Sequence, residues 1–282
     1  MGIELFSLIL LFGAVCAGML GSLTGLGGGV VIIPLLTLGF GVDMRFAIGT
    51  ALVTSIATSS GAASAYIRDG ITNVRIGMFL EIATTAGAVG GALIAIYMPT
   101  NIIAIIFACV LIFSAIMTIR KKSENLLMPG EQPNKLAEKL KLNGSYPNPK
   151  TKEIEHYSVK NVSGGFSLMA FAGVLSGLLG IGSGALKVLA MDMAMKIPFR
   201  VSTTTSNFMV GVTAAASAVI YLQRGYIDPG LAMPVVIGVL IGAFLGSKIL
   251  MRVNVKTLRW IFSVVIFFLA LQMMYNGITD KL

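Results

Sequence analysis

Gly25-Leu26-Gly27-Gly28-Gly29 interrupts one long apolar run of this chain, and Gly180-Ile181-Gly182-Ser183-Gly184 interrupts another. These two glycine-rich breaks lie 155 positions apart. Other identical residues recur at the same offset: Arg45 and Arg200, Thr50 and Thr205, Tyr66 and Tyr221, Gly91 and Gly246. Chance explains some glycine matches, but it does not explain paired arginines, threonines and tyrosines. The pattern predicts an internal duplication.

The composition excludes an ordinary soluble enzyme. Of 282 residues, 56% are apolar and 12% are charged, and the mean hydropathy is +0.88. Soluble chains are about 45–50% apolar and about 25% charged. The chain is therefore expected to be an all-α polytopic membrane protein.

Apolar runs long enough to span a bilayer, about 20 residues each, fall into two groups of four. They cover residues 3–40, 45–67, 74–98, 101–119, 165–195, 199–222, 229–250 and 258–277. Between the groups lies a polar segment, the connector (residues 120–162), which we expect to be solvent-exposed with one short helix near Lys135 to Leu142. The sequence thus predicts membrane repeat 1 at 1–119, the connector at 120–162 and membrane repeat 2 at 163–282.

The basic residues favour an inverted arrangement of the repeats. If each glycine-broken run is a re-entrant hairpin, each repeat has three further transmembrane helices, and 17 of the 21 Lys and Arg residues fall on the connector side. Basic residues accumulate on the cytoplasmic side of membranes. This predicts inverted-topology repeats, a cytoplasmic connector and both termini outside. In the parallel alternative, with four spans per repeat, Lys248, Arg252, Lys256 and Arg259 would face outward.

A helix break inside a bilayer is tolerated only where protein, water or a ligand satisfies the freed backbone groups. Discontinuous helices also place the partial positive charge of helix N-termini at the midplane, where it favours an anion. The breaks therefore indicate a central anion site, and the competing interpretation is close helix packing. A phosphate loop is excluded, because neither break ends in Lys-Ser or Lys-Thr within strand–helix alternation.

The first break continues as Val30-Val31-Ile32-Ile33-Pro34-Leu35, and Gly49-Thr50-Ala51-Leu52 opens the next helix. With its degenerate second copy, this pattern resembles the TauE/SafE sulfite exporter family of membrane transporters. The second copy departs from it, with Leu189 in place of Pro34 and Thr204-Thr205-Ser206-Asn207 in place of Gly49-Thr50-Ala51-Leu52. The resemblance implies movement of sulfite, thiosulfate, a sulfonate or a related anion across the plasma membrane, with export as the expected direction.

We therefore expect a secondary transporter that works by alternating access around a midplane site, and not an enzyme. The alternative function is a channel for small anions. The expected substrate-binding residues are the glycine breaks and nearby polar residues: Gly25, Gly27, Gly28, Gly29, Thr50, Gly180, Gly182, Ser183, Gly184, Lys187, Thr204, Thr205, Ser206 and Asn207.

Glu81, Arg45 and Arg200 are candidates for coupling or gating, and Lys187 has two interpretations of its own. Glu81 lies within an apolar span and is a candidate proton carrier or a partner of a basic residue. Lys187 either attracts the anion or pairs with Asp192 or Glu81. Arg45 and Arg200 begin equivalent helices and are candidate gates, or snorkel at the interface.

The remaining expectations concern partners and cofactors. Tyr66 and Tyr221 lie near span ends and are expected in the interfacial aromatic belt. Cys16 and Cys109 lie in apolar runs and His156 is the single histidine, so no metal or other cofactor is expected. The expected partners are a small anion and the lipid bilayer, not nucleic acid; the sequence is also compatible with a homo-oligomer.

Overall fold

The computed structural model describes residues 3–24, 28–120, 135–147, 153–250 and 255–279, and most of them are helical. The first part of the chain forms α1 (Ile3–Thr24), α2 (Gly29–Pro34), α3 (Met44–Arg68), α4 (Val74–Tyr97) and α5 (Thr100–Arg120). The connector contains α6 (Lys135–Lys139), β1 (Gly144–Pro147) and β2 (Ile154–Tyr157). The second part forms α7 (Val162–Leu179), α8 (Gly184–Leu189), α9 (Phe199–Gln223), α10 (Pro229–Leu250) and α11 (Val255–Ile278).

The helices have the length and surface of membrane spans. Among the described residues, five helices are long and apolar enough to cross a bilayer: Met44–Arg68, Val74–Tyr97, Val162–Leu179, Phe199–Gln223 and Pro229–Gly246. Large apolar side chains such as Phe12, Ile82, Phe171 and Phe268 are exposed on helices, where a soluble protein would carry polar residues. The helical content and the candidate spans confirm the predicted helical, multi-pass membrane architecture.

The duplication extends to the boundaries of the elements. Helices α2 and α8 have the same length and lie 155 positions apart, as do α3 and α9. Both short helices continue into five-residue π-helical turns, Leu35–Gly39 and Ala190–Ala194. Since Pro34 precedes the first turn and Leu189 the second, the π-helical geometry does not require the proline.

The two halves exchange a helix. Helix α1 packs along α10, and its counterpart α7 packs along α4. The result is two bundles, which we call bundle A (α1, α2, α3 and α10) and bundle B (α7, α8, α9 and α4). They meet where α3 packs on α9, while α5 packs on α11. Small residues permit the close approach within each bundle: a Cβ at Gly91 of α4 would lie 2.8 Å from the carbonyl carbon of Val174 on α7.

The helical stretches on the two sides of each break lie close together. In the second half, the backbone N–H of Lys160, just before α7, donates to the carbonyl oxygen of Met195, just after the π-helical turn, at 3.0 Å. In the first half, a Cβ at Gly28 would lie 3.9 Å from the carbonyl oxygen of Ala17. The returning helical stretch Gly29–Gly39 is about 16 Å long, roughly half of the bilayer core.

The described part of the connector packs on the membrane helices. Helix α6 agrees with the short helix expected there, but the antiparallel pair β1–β2 was not anticipated. Leu142, Tyr146 and Tyr157 are buried in one cluster with Ile71 and Ile76, the latter on α4. The expectation of a fully solvent-exposed segment is therefore wrong for these residues, because they contribute apolar side chains to a shared core.

Candidate functional site

The two glycine breaks lie against each other at the junction of the bundles. A Cβ built at Gly29 would lie 3.1 Å from the carbonyl oxygen of Gly180 and 2.9 Å from Oγ of Ser55 on α3. The second break turns through left-handed backbone, with φ of +68° at Gly180, +65° at Gly182 and +47° at Ser183. Such values suit glycine, which explains why this turn is glycine-rich.

Several polar atoms around this junction are buried without a partner. In the part of the chain that the structure describes, no hydrogen bond is made by Oγ of Ser55, Oγ of Ser183 or Oδ1 of Asn207. Oγ1 of the predicted site residue Thr50, elsewhere on α3, is buried without a partner as well. Ser183 precedes α8 as its N-cap, yet its side chain does not cap the helix. A buried polar group without a partner costs about 1–3 kcal/mol, so it calls for an explanation such as a ligand.

The polar run at the start of α9 divides into two sets. Ser206 donates to the carbonyl oxygen of Gly184 at 3.2 Å, and Nδ2 of Asn207 donates to the carbonyl oxygen of Ser22 at 3.1 Å, so both residues contact the breaks. Thr204 instead donates to carbonyl oxygens of its own helix. Thr205 accepts from the backbone N–H of Asn73 at 3.1 Å and is tied to the loop before α4. Only the second half of the predicted run contacts the glycine breaks.

A charged cluster lies one turn beyond the second break. Lys187 on α8 is fully buried, and its Nζ lies 3.9 Å from Oε2 of Glu81 on α4. Thr213 on α9 bridges the pair, since it accepts a hydrogen bond from Lys187 Nζ and donates to Oε1 of Glu81 at 2.5 Å. Thr85 also donates to Oε1 of Glu81, at 3.0 Å. The predicted pairing of Lys187 with an acidic residue is thus made with Glu81.

The cluster belongs to bundle B alone. At the corresponding positions of bundle A, 155 residues away, Ile32 replaces Lys187, Val236 replaces Glu81 and Thr58 matches Thr213. Both bundles therefore keep the threonine, and bundle B alone carries the charges at these positions. The two bundles therefore have different electrostatics around their shared junction.

A family model matches most of the chain. Residues 10–273 match the family described as sulfite exporter TauE/SafE. The chain belongs to this family. The resemblance drawn from the first break and the residues after it is thereby confirmed, and the chain is a multi-pass membrane protein of a transporter family.

Three relatives carry the same kind of name. YunE of Bacillus subtilis (strain 168), named "Probable membrane transporter protein", is 28% identical over 281 residues, which cover 97% of this chain and 98% of the relative. YdhB of the same organism, with the same description, is 27% identical and covers 82% of this chain and 85% of its own length. MJ0441 of Methanocaldococcus jannaschii, again a "Probable membrane transporter protein", is 26% identical, with 96% of each chain covered. No solved structure matches the chain.

The predicted arginine pair lies apart from this junction. Arg45 is half-buried at the start of α3, where it donates to the hydroxyl of Tyr226 and to the carbonyl oxygen of Met98, both at 3.2 Å. These bonds join the loops before α5 and α10. Arg200 begins α9, the equivalent helix of the second half, and is half-buried too. Both residues remain candidate gates, and for Arg45 the structure also records a tethering role.

Two tyrosines near the breaks were missed as site residues. Tyr66 and Tyr221 are 0% and 2% exposed, so their expected place in the interfacial aromatic belt is wrong. The hydroxyl of Tyr66 donates to the carbonyl oxygen of Ser22 at 3.1 Å, and that of Tyr221 donates to Gly177 at 3.4 Å. Ser22 and Gly177 are themselves equivalent positions near the ends of α1 and α7. The signal was present in the sequence, since the tyrosines match at the repeat offset.

Five of the seven predicted site glycines are described, and all five are buried. Gly28 and Gly29 belong to the first break and Gly180 and Gly182 to the second, and Gly184 begins α8. Gly25 and Gly27 lie outside the described residues.

Proposed function

We propose that this protein is a secondary transporter for a small sulfur-containing anion, with its binding site between the two glycine breaks. The observation that carries the proposal is the pair of buried, unpartnered hydroxyl groups on Ser55 and Ser183 at the point where the breaks meet. Hydroxyl groups and the returning helical stretches supply hydrogen-bond donors to an anion without adding a second buried charge.

The sulfur oxyanion class follows from the family and agrees with the chemistry of the site. The family is described as sulfite exporters, whereas the names of the relatives specify membrane transport only. Sulfite, thiosulfate and sulfonates each present several oxygen acceptors, which suit several short hydroxyl donors. The Lys187 charge is balanced by Glu81, so the site has little net charge of its own.

Alternating access fits the two-bundle architecture. The junction of α3 and α9 lies between bundles A and B, and each bundle contributes one break to it. Rocking of one bundle against the other opens the junction first to one side of the membrane and then to the other. Export is the direction that the family description suggests.

The membrane topology is part of this proposal. The hydrogen bond between Lys160 and Met195 supports re-entrant hairpins, because the beginning and the end of the second broken run lie side by side. Three crossings then remain in each half, and the repeats are inverted, with repeat 1 at 1–119 and repeat 2 at 163–282. The connector is cytoplasmic and both termini are outside.

We expect reporters of sidedness to place the connector and the C-terminus on opposite faces. A cytoplasmic reporter inserted after Asn134 should be active, and the same reporter after Leu282 should be inactive, while an extracellular reporter gives the reverse. An active cytoplasmic reporter at both positions would contradict the inverted repeats and leave the parallel arrangement.

Removal of the unpartnered hydroxyls should weaken binding without loss of stability. Ser55→Ala and Ser183→Ala each delete a buried oxygen that has no protein partner, so the free energy of unfolding should stay the same or rise. Each should weaken anion binding by about 1.5–3 kcal/mol, or roughly 10- to 150-fold, the range for hydrogen bonds to charged groups.

Ser59→Ala is the matched control for this prediction. Oγ of Ser59 donates to the carbonyl oxygen of Asn207 at 2.5 Å, so its loss should lower the free energy of unfolding by about 1 kcal/mol. Ser59→Ala should weaken anion binding less than Ser55→Ala and Ser183→Ala do. Thermal unfolding and anion titration in one detergent measure both quantities. Unchanged anion affinity in both Ser55→Ala and Ser183→Ala would remove the site from this junction.

The experiment that tests the function is uptake into liposomes that contain the purified protein. Sulfite, thiosulfate, sulfate and methanesulfonate are compared, with and without a pH gradient. Saturable uptake that is accelerated by the same anion on the opposite side identifies a carrier. Conduction without saturation or exchange identifies the alternative, an anion channel, and absence of transport for all four anions contradicts the proposed substrate class.

A further inference from the structure

The Glu81–Thr213–Lys187 cluster is built so that both protonation states of Glu81 keep their hydrogen bonds. Thr213 has two acceptors within reach, Oε1 of Glu81 at 2.5 Å and the carbonyl oxygen of Met209 at 3.0 Å. When Glu81 is ionised, Thr213 donates to it. When Glu81 holds a proton, its own O–H donates to Thr213 Oγ1, and the threonine hydroxyl turns to Met209. A proton can therefore arrive or leave without breaking the packing.

Glu81 is also the more accessible member of the pair. Its side chain is 9% exposed, whereas the side chain of Lys187 is 0% exposed. Lys187 lies one helical turn from Ser183, with its backbone N–H donating to the Ser183 carbonyl oxygen at 3.0 Å. The backbone of Lys187 thus lies about 6 Å along the helix axis from that of Ser183, at the proposed anion site.

Few other charges act on Glu81. Among the described elements that pack on α4, α7 has no ionisable side chain. Helix α9 has Arg200, thirteen positions before Thr213 and about 20 Å away along the axis, and Tyr221, eight positions after Thr213 and about 12 Å away. The adjoining stretch of α8 and its π-helical turn contributes Lys187 and Asp192. On α4 itself, Arg75 donates to the carbonyl oxygen of Lys141 in the connector. Lys187 is the charged group recorded within 4 Å of the Glu81 carboxylate.

We infer that Glu81 and Lys187 form the coupling site, which binds one proton together with one substrate anion. This inference rests on the proposed function. A proton from the aqueous phase converts the Glu81 carboxylate to the neutral acid and leaves the Lys187 ammonium without a counter-charge. The anion at the junction supplies that counter-charge. By linkage, the proton raises anion affinity and the anion raises proton affinity by the same factor.

The coupling determines the direction in which a pH gradient drives the anion. A monovalent anion and one proton cross together without net charge, so a pH gradient drives the anion toward the more alkaline compartment. Where the cytoplasm is the more alkaline side, this is uptake. Export then requires an outward anion gradient that exceeds the inward proton gradient.

Glu81→Gln separates coupling from transport. Liposomes are loaded with whichever of thiosulfate, sulfate and methanesulfonate the wild-type protein transports. These three anions are chosen because they stay ionised across the neutral pH range. With the membrane potential clamped at zero, a gradient of about one pH unit should let wild-type protein concentrate the anion about tenfold on the alkaline side. Glu81→Gln should exchange the anion at equal pH on both sides but should not concentrate it.

Asp192→Asn is the matched control, because it neutralises another buried carboxylate, on the π-helical turn that follows α8, and should leave accumulation intact. Accumulation by Glu81→Gln driven by the pH gradient would overturn the inference, and so would wild-type transport that ignores the gradient. A wild-type protein that transports none of the anions would instead contradict the proposed function.

A second measurement applies even if Glu81→Gln does not fold. Addition of the same anion to wild-type protein in weakly buffered detergent should draw about one proton from solution for each anion bound, as the reciprocal linkage requires. Anion binding without proton uptake would overturn the coupling role of Glu81.

Discussion

Lys187→Met is expected to lower the free energy of unfolding by about 3–5 kcal/mol, the cost of removing one partner from a buried ion pair. Lys187 is fully buried, and Oε2 of Glu81 has no hydrogen-bond partner among the described residues besides its ion pair with Lys187. Without the ammonium, the Glu81 carboxylate stays in a low-dielectric region with hydroxyl donors alone. The measurement is equilibrium unfolding in mixed detergent micelles.

The double variant Lys187→Met/Glu81→Gln should recover most of this loss, because it removes the stranded charge. It should still bind the anion more weakly than wild-type protein, since the nearby positive charge is gone. Lys139→Met is the control: Lys139 is exposed on α6, and its replacement should change stability by less than about 0.5 kcal/mol. A double variant as unstable as Lys187→Met would show that the ion pair is not the source of the effect.

The sequence predicted the features that depend on local pattern. Glycine runs inside apolar segments mark helix breaks because glycine has low helix propensity and adopts left-handed backbone, as Gly180 and Gly182 do. The offset of 155 also located equivalent helices to the residue, since α3 and α9 begin at Met44 and Phe199.

The sequence did not predict which helices pack together. Membrane helices are apolar on most of their surface, so hydropathy does not distinguish the face of α4 that contacts α7 from the face that contacts lipid. The composition of the helices therefore did not indicate that α4 packs against the second half of the chain and α10 against the first. For the same reason, Lys187 had two candidate partners, and the distance between α8 and α4 was needed to choose Glu81.

The tyrosine error has a related cause. Tyr66 lies near the end of α3, and the end of a span normally lies at the membrane surface. Here the tyrosine hydroxyl instead contacts the carbonyl oxygen of Ser22 near the end of α1. That carbonyl oxygen lies in the protein interior, so the side chain that donates to it is buried there.

Gly91→Leu is expected to separate α4 from α7 and to destabilise the protein by about 3 kcal/mol or more, at the upper end of the cost of overpacking. A Cβ at Gly91 would lie 2.8 Å from the carbonyl carbon and 3.0 Å from Cα of Val174. These are backbone atoms, so a rotamer change cannot relieve the collision. Because α4 carries Glu81, its displacement should also weaken the bond to Thr213 and lower pH-driven accumulation.

Gly90→Leu is a control one residue away on the same helix. A Cβ at Gly90 meets nothing within 4 Å, and the substitution brings the same gain in helix propensity, about 0.8 kcal/mol over glycine. Gly90→Leu should therefore match or exceed the wild-type melting temperature. Gly246→Leu, at the equivalent position of α10, should behave like Gly91→Leu, because its Cβ would lie 2.7 Å from the carbonyl oxygen of Met19 on α1. Equal melting temperatures for Gly90→Leu and Gly91→Leu would contradict the helix exchange. If α7 did not pack against Gly91, a leucine would be tolerated at that position as well as at Gly90.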